Sequence, residues 1–182
     1  TYTINANFGA KVIAGGTGFF LNDEMDDFTT KPGAANLFGL VQGKANAIAP
    51  EKRPLSSMSP TVVSKDGKVF LVTGSPGGSR IITITLGTIL NVIDHGMDVQ
   101  EAVDAPRVHH QWMPDQVYAE PRALSADSAA ALLAMGYALT EQAPWGAAEA
   151  ILVGPPAAPA VAGSPPPLKA LPKPGFLYGA ND

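Results

Sequence analysis

A strand, a glycine turn and a helix follow one another near the middle of this chain of 182 residues. The apolar run at 69–72 leads into the segment SPGGSR at 75–80, and an apolar helical pattern begins at Ile81. Paired glycines allow successive backbone N–H groups to point at one anion, and a helix N-terminus adds positive partial charge. An oxyanion hole needs this arrangement, although a Gly-Gly turn can also serve packing alone.

A second informative stretch, RPLSSMSP at 53–60, precedes the glycine turn by about twenty residues. It places three hydroxyls within four residues between two prolines, which suits the binding of a small polar ligand. A serine-rich turn before Pro60 is the structural alternative. Taken alone, neither stretch identifies a function.

Composition narrows the possible classes of protein. Hydrophobic residues make up 46% of the chain and charged residues 15%, which is typical of a globular domain. The net charge of −4 gives no basic surface for nucleic acid, and no run approaches the ~18 apolar residues of a membrane helix. The absence of cysteine excludes disulfides and thiol chemistry. We expect a single domain over residues 1–182.

Local patterns predict the main elements, in a layered α/β arrangement with mostly antiparallel sheet. Residues 1–28 alternate as short strands, 29–60 form a long loop, and 61–74 form a hairpin around Asp66-Gly67. A broadly apolar, buried helix is expected from Ile81 to about Asp94. A capping box of Asp98 and Glu101 starts a second helix that stops before Pro106.

The last third of the chain contains one more helix and a final pair of strands. Ser125 caps a helix over 126–135. Residues 150–153 and 175–179 are predicted to pair as strands. Between them, the Pro- and Ala-rich stretch 155–174 cannot form a helix or a central strand, so it is interpreted as an extended surface insertion.

Four ordered blocks resemble the small subunit of the γ-glutamyltransferase (γ-glutamyltranspeptidase) family, bacterial type. They are LNDEMDDF at 21–28, KRPLSSMSP at 52–60, GSPGGSR at 74–80 and APRVHHQW at 105–112. The resemblance implies a four-layer αββα N-terminal-nucleophile hydrolase sandwich, of which this chain supplies the small-subunit part. It also implies a self-cleaving precursor, a large-subunit partner, a periplasmic or secreted location, and no metal or organic cofactor.

The implied reaction is transfer or hydrolysis of a γ-glutamyl group through a γ-glutamyl-threonine ester. In the family the nucleophile is the N-terminal threonine of the small subunit, and its own α-amine is the general base. Family small subunits open with Thr-Thr-His, whereas this chain opens at Thr1 with Thr-Tyr-Thr. We therefore expect Thr1 to be a strand residue and the nucleophile to lie upstream.

The resemblance assigns roles residue by residue. Thr3 would orient the nucleophile, and Gly77 and Gly78 would supply the oxyanion N–H groups. The remaining assignments are α-ammonium binding by Asn5, Glu24 and Asp27, α-carboxylate binding by Ser56 and Ser57, and a lid residue, Phe38, where relatives often have Tyr. An ammonium has three donors, which two carboxylates and an amide oxygen can accept. The structural alternatives are a strand residue at Thr3 and a solvated acidic turn around Glu24 and Asp27.

Other residues that attract attention are given structural roles. His109 and His110 are adjacent, so they point to opposite sides of a strand and rarely share a metal ion. Arg80, near a helix N-terminus, is expected to pair with a carboxylate, and Trp112 to lie in the core or an interface. A glutaryl or cephalosporin acylase of the same superfamily is one alternative. Its substrate has no α-ammonium, so Asn5, Glu24 and Asp27 would then have no ligand, which favours a γ-glutamyl donor. A non-catalytic fragment is the other alternative.

Overall fold

The computed structural model describes residues 3–154, 173 and 175–182. Thr1, and the predicted insertion at 155–174 apart from Lys173, lie outside the described residues. The chain divides into two structural units, one formed by Thr1–Met58 with Trp112–Pro114 and the other by Ser59–Gln111 with Asp115–Asp182. The expected single domain over 1–182 stays a prediction.

The first unit is built mostly from turns. It contains two short 3-10 helices, Glu24–Asp27 and Lys44–Asn46. Its only strand-like contacts among the described residues are single bridges, which join Ile13 to Phe20, Thr29 to Ala47 and Ala35 to Val41. The long loop predicted for 29–60 is confirmed, and specific hydrogen bonds hold its turns.

Within the described residues 3–28, the predicted strands do not form. Left-handed backbone at Asn5, Ala6, Phe8 and Lys11, with φ between 35° and 66°, interrupts an extended chain. What remains is a short ribbon in which Leu21 N–H donates to the Val12 carbonyl at 2.8 Å. Apolar alternation therefore did not distinguish a strand from a twisted turn segment in this region.

The second unit contains the regular elements. Its helices are α1 (Ile81–Ile93), α2 (Val99–Asp104) and α3 (Ala126–Ala134). Its strands are β1 (Thr61–Lys65), β2 (Lys68–Gly74), β3 (Val108–His109), β4 (Val117–Ala119), β5 (Leu139–Glu141), β6 (Glu149–Val153) and β7 (Leu177–Asn181). An antiparallel sheet has the order β1-β2-β6-β7, and a smaller sheet has the order β3-β4-β5.

Local signals explain these elements. Asp66 and Gly67, with φ of 53° and 74°, make the hairpin turn between β1 and β2. The predicted capping box of Asp98 and Glu101 is present at α2, and Ser125 Oγ accepts the Ser128 N–H at the start of α3. The predicted pairing of the last two strands is also confirmed, with Leu152 opposite Tyr178.

The core of the second unit lies where α1 and α2 pack on the large sheet. Leu71 of β2, Ile84 of α1 and Val103 of α2 are its largest fully buried side chains. The opposite face of α1 is exposed and apolar, with Ile82, Leu86, Leu90 and Ile93 between 39% and 53% exposed. The predicted burial of this helix therefore holds for one face only. No described helix is long and apolar enough to cross a membrane.

Candidate active site

Four of the predicted site residues come together in the first unit. The 3-10 helix Glu24–Asp27 places its first and last carboxyl groups beside the segment that contains Thr3 and Asn5. Asn5 Nδ2 donates to Asp27 Oδ1 at 3.4 Å, and Asp23 N–H donates to the Ile4 carbonyl at 3.1 Å. These bonds hold the two segments against each other and bring the four residues into one cluster.

Burial raises the pKa of both carboxyl groups in this cluster. For Glu24 the negative charge of Asp27 adds to the effect of burial, while a hydrogen bond from Thr3 opposes it. For Asp27 burial is again the first cause; hydrogen bonds with Glu24 and Asn5 oppose it, and the charges of Asp23 and Asp26 add to it. Burial and neighbouring negative charges thus disfavour the ionised form of both carboxyl groups.

Two buried carboxylate oxygens support the same conclusion. Within the described residues, Glu24 Oε1 and Asp23 Oδ1 are buried without a hydrogen-bond partner. A buried acceptor that lacks a donor costs free energy, so such groups call for an explanation. A cation with several N–H donors would satisfy both the charge and the acceptors.

The lid residue Phe38 sits in a short, well-held hairpin over Ala35–Val41. Asn36 Oδ1 accepts the N–H groups of Phe38 and Leu40, each at 3.0 Å, and Gly39 adopts a φ of 75°. Phe38 itself is 37% exposed. Its aromatic ring is therefore presented at the surface by a turn that a single amide side chain organises, and its role as a lid stays a prediction.

The two predicted serines lie at the end of the same unit. Ser56 is exposed and its Oγ accepts the Met58 N–H at 3.2 Å, which is the local turn that the structural alternative expected. Ser57 is half-buried. The turn leaves the Ser56 hydroxyl hydrogen available as a donor, so it does not conflict with anion binding.

Asn46, which the sequence did not mark as a site residue, connects these segments. Asn46 Nδ2 donates to the Asp27 carbonyl at 2.6 Å and to Gln42 Oε1 at 2.7 Å, and its Oδ1 accepts the Leu55 N–H at 3.0 Å. Thr29 joins the same group, since its Oγ1 lies 2.9 Å from Gln42 Oε1. The sequence offered a weak signal only, a pair of amide residues in a glycine-rich loop.

The glycine turn lies in the second unit, at the N-terminal end of α1. Gly77 and Gly78 have φ of 142° and 59°, and one 3-10 turn, Gly78–Arg80, leads into the helix. A Cβ built on Gly77 would lie 3.0 Å from Ile84 Cδ1. The backbone conformation therefore favours glycine here, and an added Cβ would also require the Ile84 side chain to shift. The strand–turn–helix arrangement is as predicted, and the oxyanion role stays a prediction.

The residues given structural roles are placed as follows. His109 is buried between Thr83 Oγ1 at 2.8 Å and Gln111 Oε1 at 3.0 Å, and burial lowers its pKa. His110 instead contacts Asp115 at 2.8 Å, so the two rings do point apart. No group of three or more His, Asp or Glu side chains in the described part of the chain could hold a metal ion.

The expectation for Arg80 is corrected, and of the two places expected for Trp112 only an interface stays a prediction. Arg80 does not pair with a carboxylate among the described residues; it donates to Gln142 Oε1 at 2.7 Å, and its guanidinium lies over Trp145 and Tyr118, at 4.4 and 5.1 Å from the ring centroids. Aromatic faces stabilise a cation without a formal negative charge. Trp112 is 74% exposed, so it does not belong to the core.

Comparisons with known proteins define first the class and then the family. The chain shares its α/β fold with cephalosporin acylase from Bacillus halodurans, at 24% identity, a TM-score of 0.69 and coverage of 94% of this chain and 27% of that one; this likeness shows the fold alone. A mutant of Helicobacter pylori gamma-glutamyltranspeptidase gives a TM-score of 0.85 at 50% identity, covering 100% and 90% of the two chains. The predicted α/β fold is thereby confirmed.

Sequence matches identify the family. A family model described as gamma-glutamyltranspeptidase matches residues 1–167. Over all 182 residues the chain is 57% identical to the glutathione hydrolase proenzyme of Pseudomonas sp. (strain A14) and 49% identical to that of Escherichia coli (strain K12). The chain belongs to the gamma-glutamyltranspeptidase family. It spans 30% and 28% of the lengths of these two relatives.

Proposed function

We propose that this chain is the small-subunit part of an enzyme that hydrolyses or transfers the γ-glutamyl group of glutathione, glutamine or a similar donor. Family membership and the names of the relatives support the reaction class. The observation that carries the substrate class is the cluster of Thr3, Asn5, Glu24 and Asp27, in which two half-buried carboxyl groups with raised pKa values lie side by side.

The acidic cluster would bind the α-ammonium group of the γ-glutamyl donor. A bound ammonium favours the ionised carboxylates and offers three donors to Glu24, Asp27 and the Asn5 amide oxygen. Substrate binding would then lower the pKa of both carboxyl groups. A donor without an amino group would leave the same acceptors buried and unsatisfied, which is the physical basis of discrimination.

The other residues have complementary roles in the proposed mechanism. Ser56 and Ser57 donate hydrogen bonds to the α-carboxylate, Phe38 covers the substrate, and the N–H groups of Gly77 and Gly78 stabilise the oxyanion. The nucleophile is a threonine outside this chain, oriented by Thr3. Its Oγ attacks the γ-carbonyl carbon while its α-amine takes the hydroxyl proton and returns it to the leaving amine. Water or an amino acid then attacks the ester and releases the threonine.

The partner in this proposal is the large subunit cleaved from the same precursor, which is consistent with the relatives being named proenzymes. A periplasmic or secreted location, and a mechanism without a cofactor, stay predictions from the family resemblance.

A substrate pair tests the proposal. The full precursor is produced, and the mature enzyme is assayed with γ-glutamyl-p-nitroanilide and with glutaryl-p-nitroanilide, which differs only in lacking the α-amino group. Strong preference for the γ-glutamyl compound is expected. Equal or better turnover of the glutaryl compound would favour the acylase alternative, and turnover of neither would favour a non-catalytic role.

A further inference from the structure

The Asn46 side chain makes one hydrogen bond to each of three separate segments. The two Nδ2 hydrogens go to the Asp27 carbonyl and to Gln42 Oε1, while Oδ1 accepts the Leu55 N–H. The Asn46 carbonyl also accepts the Thr29 N–H at 2.9 Å. A half-buried amide with both donors and its acceptor in use fixes its partners relative to one another.

The three segments that Asn46 joins contain or adjoin three of the proposed substrate contacts in the first unit. Asp27 belongs to the acidic cluster, Gln42 directly follows the lid hairpin Ala35–Val41, and Leu55 directly precedes Ser56. None of these segments belongs to a sheet or an α-helix. One backbone bridge, Thr29–Ala47, links the segment after Asp27 to the residue after Asn46, and the Asn46 side chain adds a bond to each of the three segments.

We propose that Asn46 is a positioning residue that sets the spacing between the ammonium-binding carboxylate of Asp27 and the serines at 56–57, and thereby selects donors with a free α-amino acid group. The proposal rests on the proposed function. In an α-amino acid one carbon separates the ammonium from the carboxylate, so both can be bound only if acceptors and donors are held at a fixed spacing. Small misplacements of positioned groups have large effects on rate.

Two Asn46 variants and a matched control test this role in the mature enzyme made from the full precursor. Asn46→Ala removes all three side-chain bonds. Asn46→Asp is nearly isosteric and keeps an acceptor for the Leu55 N–H, but it places an oxygen against the Asp27 carbonyl. The control is Lys52→Met, because Lys52 Nζ donates to the Ala45 and Ala47 carbonyls that flank Asn46, at 2.5 and 2.8 Å, and its removal leaves the Asn46 side chain unchanged.

The readout is the ratio of kcat/KM for γ-glutamyl-p-nitroanilide to kcat/KM for glutaryl-p-nitroanilide, measured with the melting temperature. A general loosening of the fold lowers kcat/KM for both compounds, whereas a changed spacing between Asp27 and the serines lowers the ratio. We expect the ratio to fall about fivefold to tenfold in both Asn46 variants, the scale of one hydrogen bond. Lys52→Met should keep the wild-type ratio within about twofold, because it leaves the Asn46 bonds to Asp27, Gln42 and Leu55 in place.

The outcomes separate this inference from the proposed function. If the wild-type enzyme does not prefer the γ-glutamyl compound, the proposed function fails. If the wild type is selective and both Asn46 variants keep its ratio, the positioning role is overturned. It is also overturned if Lys52→Met lowers the ratio equally, or if neither Asn46 variant matures, since Asn46 would then serve folding rather than substrate selection.

Discussion

Asp27→Asn is the substitution that most directly tests the acidic cluster. The asparagine keeps the shape of the side chain and an oxygen for the Asn5 amide, which lies 3.4 Å from Asp27 Oδ1. What it removes is one negative charge against the proposed α-ammonium. A hydrogen bond to a charged group contributes about 1.5–3 kcal/mol, so kcat/KM for a γ-glutamyl donor should fall roughly 10- to 150-fold, mainly through KM.

Stability should respond in the opposite direction. Burial and the charges of Asp23 and Asp26 raise the Asp27 pKa, which means that the folded protein holds the ionised form unfavourably. Neutralising Asp27 removes that unfavourable charge, so the melting temperature should stay the same or rise. A loss of substrate binding without a loss of stability separates a binding group from a structural one.

Asp26→Asn is the matched control. Asp26 belongs to the same 3-10 helix and carries the same charge, but its side chain is exposed. Steady-state kinetics with γ-glutamyl-p-nitroanilide and thermal unfolding should be measured on both variants of the mature enzyme. Equal changes in KM for the two variants, or no change for Asp27→Asn in a folded enzyme, would reduce the cluster to a solvated acidic turn.

Three further predictions concern pH, the glycine turn and the exposed helix face. Since the pKa values of Glu24 and Asp27 are raised, kcat/KM should fall as the pH drops through these values. In Asp27→Asn this acid limb of the pH profile should move to lower pH, because Glu24 loses a neighbouring negative charge. A limb that does not move would exclude Glu24 as the titrating group. Gly77→Ala should cost about 1–3 kcal/mol in thermal unfolding and lower kcat, whereas Gly87→Ala, in the open middle of α1, should be neutral or stabilising. Residues 1–182 produced alone should bind a hydrophobic dye at the exposed face of α1, and a cooperative monomeric unfolding transition without dye binding would contradict this.

The elements that sequence predicted well have strong local signals. Asp66-Gly67 defines the hairpin because its positive φ values match a tight turn, and the Asp98–Glu101 box marks the start of α2 because two side chains satisfy its first N–H groups. The glycine turn before α1 belongs to the same category. In each case a few neighbouring residues determine the backbone, so no knowledge of distant contacts was needed.

The wrong predictions concern features that a regular sequence pattern does not determine. Residues 1–28 alternate as a strand should, but isolated left-handed residues such as Asn5 and Lys11 turn the chain, and periodicity does not reveal them. The partner of Arg80 was misassigned because a guanidinium can be held by an amide and aromatic rings that lie more than 35 residues away in sequence. The family resemblance placed the acidic residues, which composition alone would have left as a surface turn.

The network around Asn46 explains why the first unit is harder to predict from the sequence than the second. Where hydrophobic periodicity organises a chain, as in α1 and β2, the pattern is visible in the sequence because many residues share one requirement. In the first unit single amides organise the backbone. Asn36 holds the lid hairpin through two backbone N–H groups, and Asn46 joins three segments through two backbone groups and the Gln42 side chain. Such a bond needs one residue at one position and leaves no periodic trace. A site that must present charges and donors at fixed spacing on turns is therefore specified by the residues that sequence patterns reveal least.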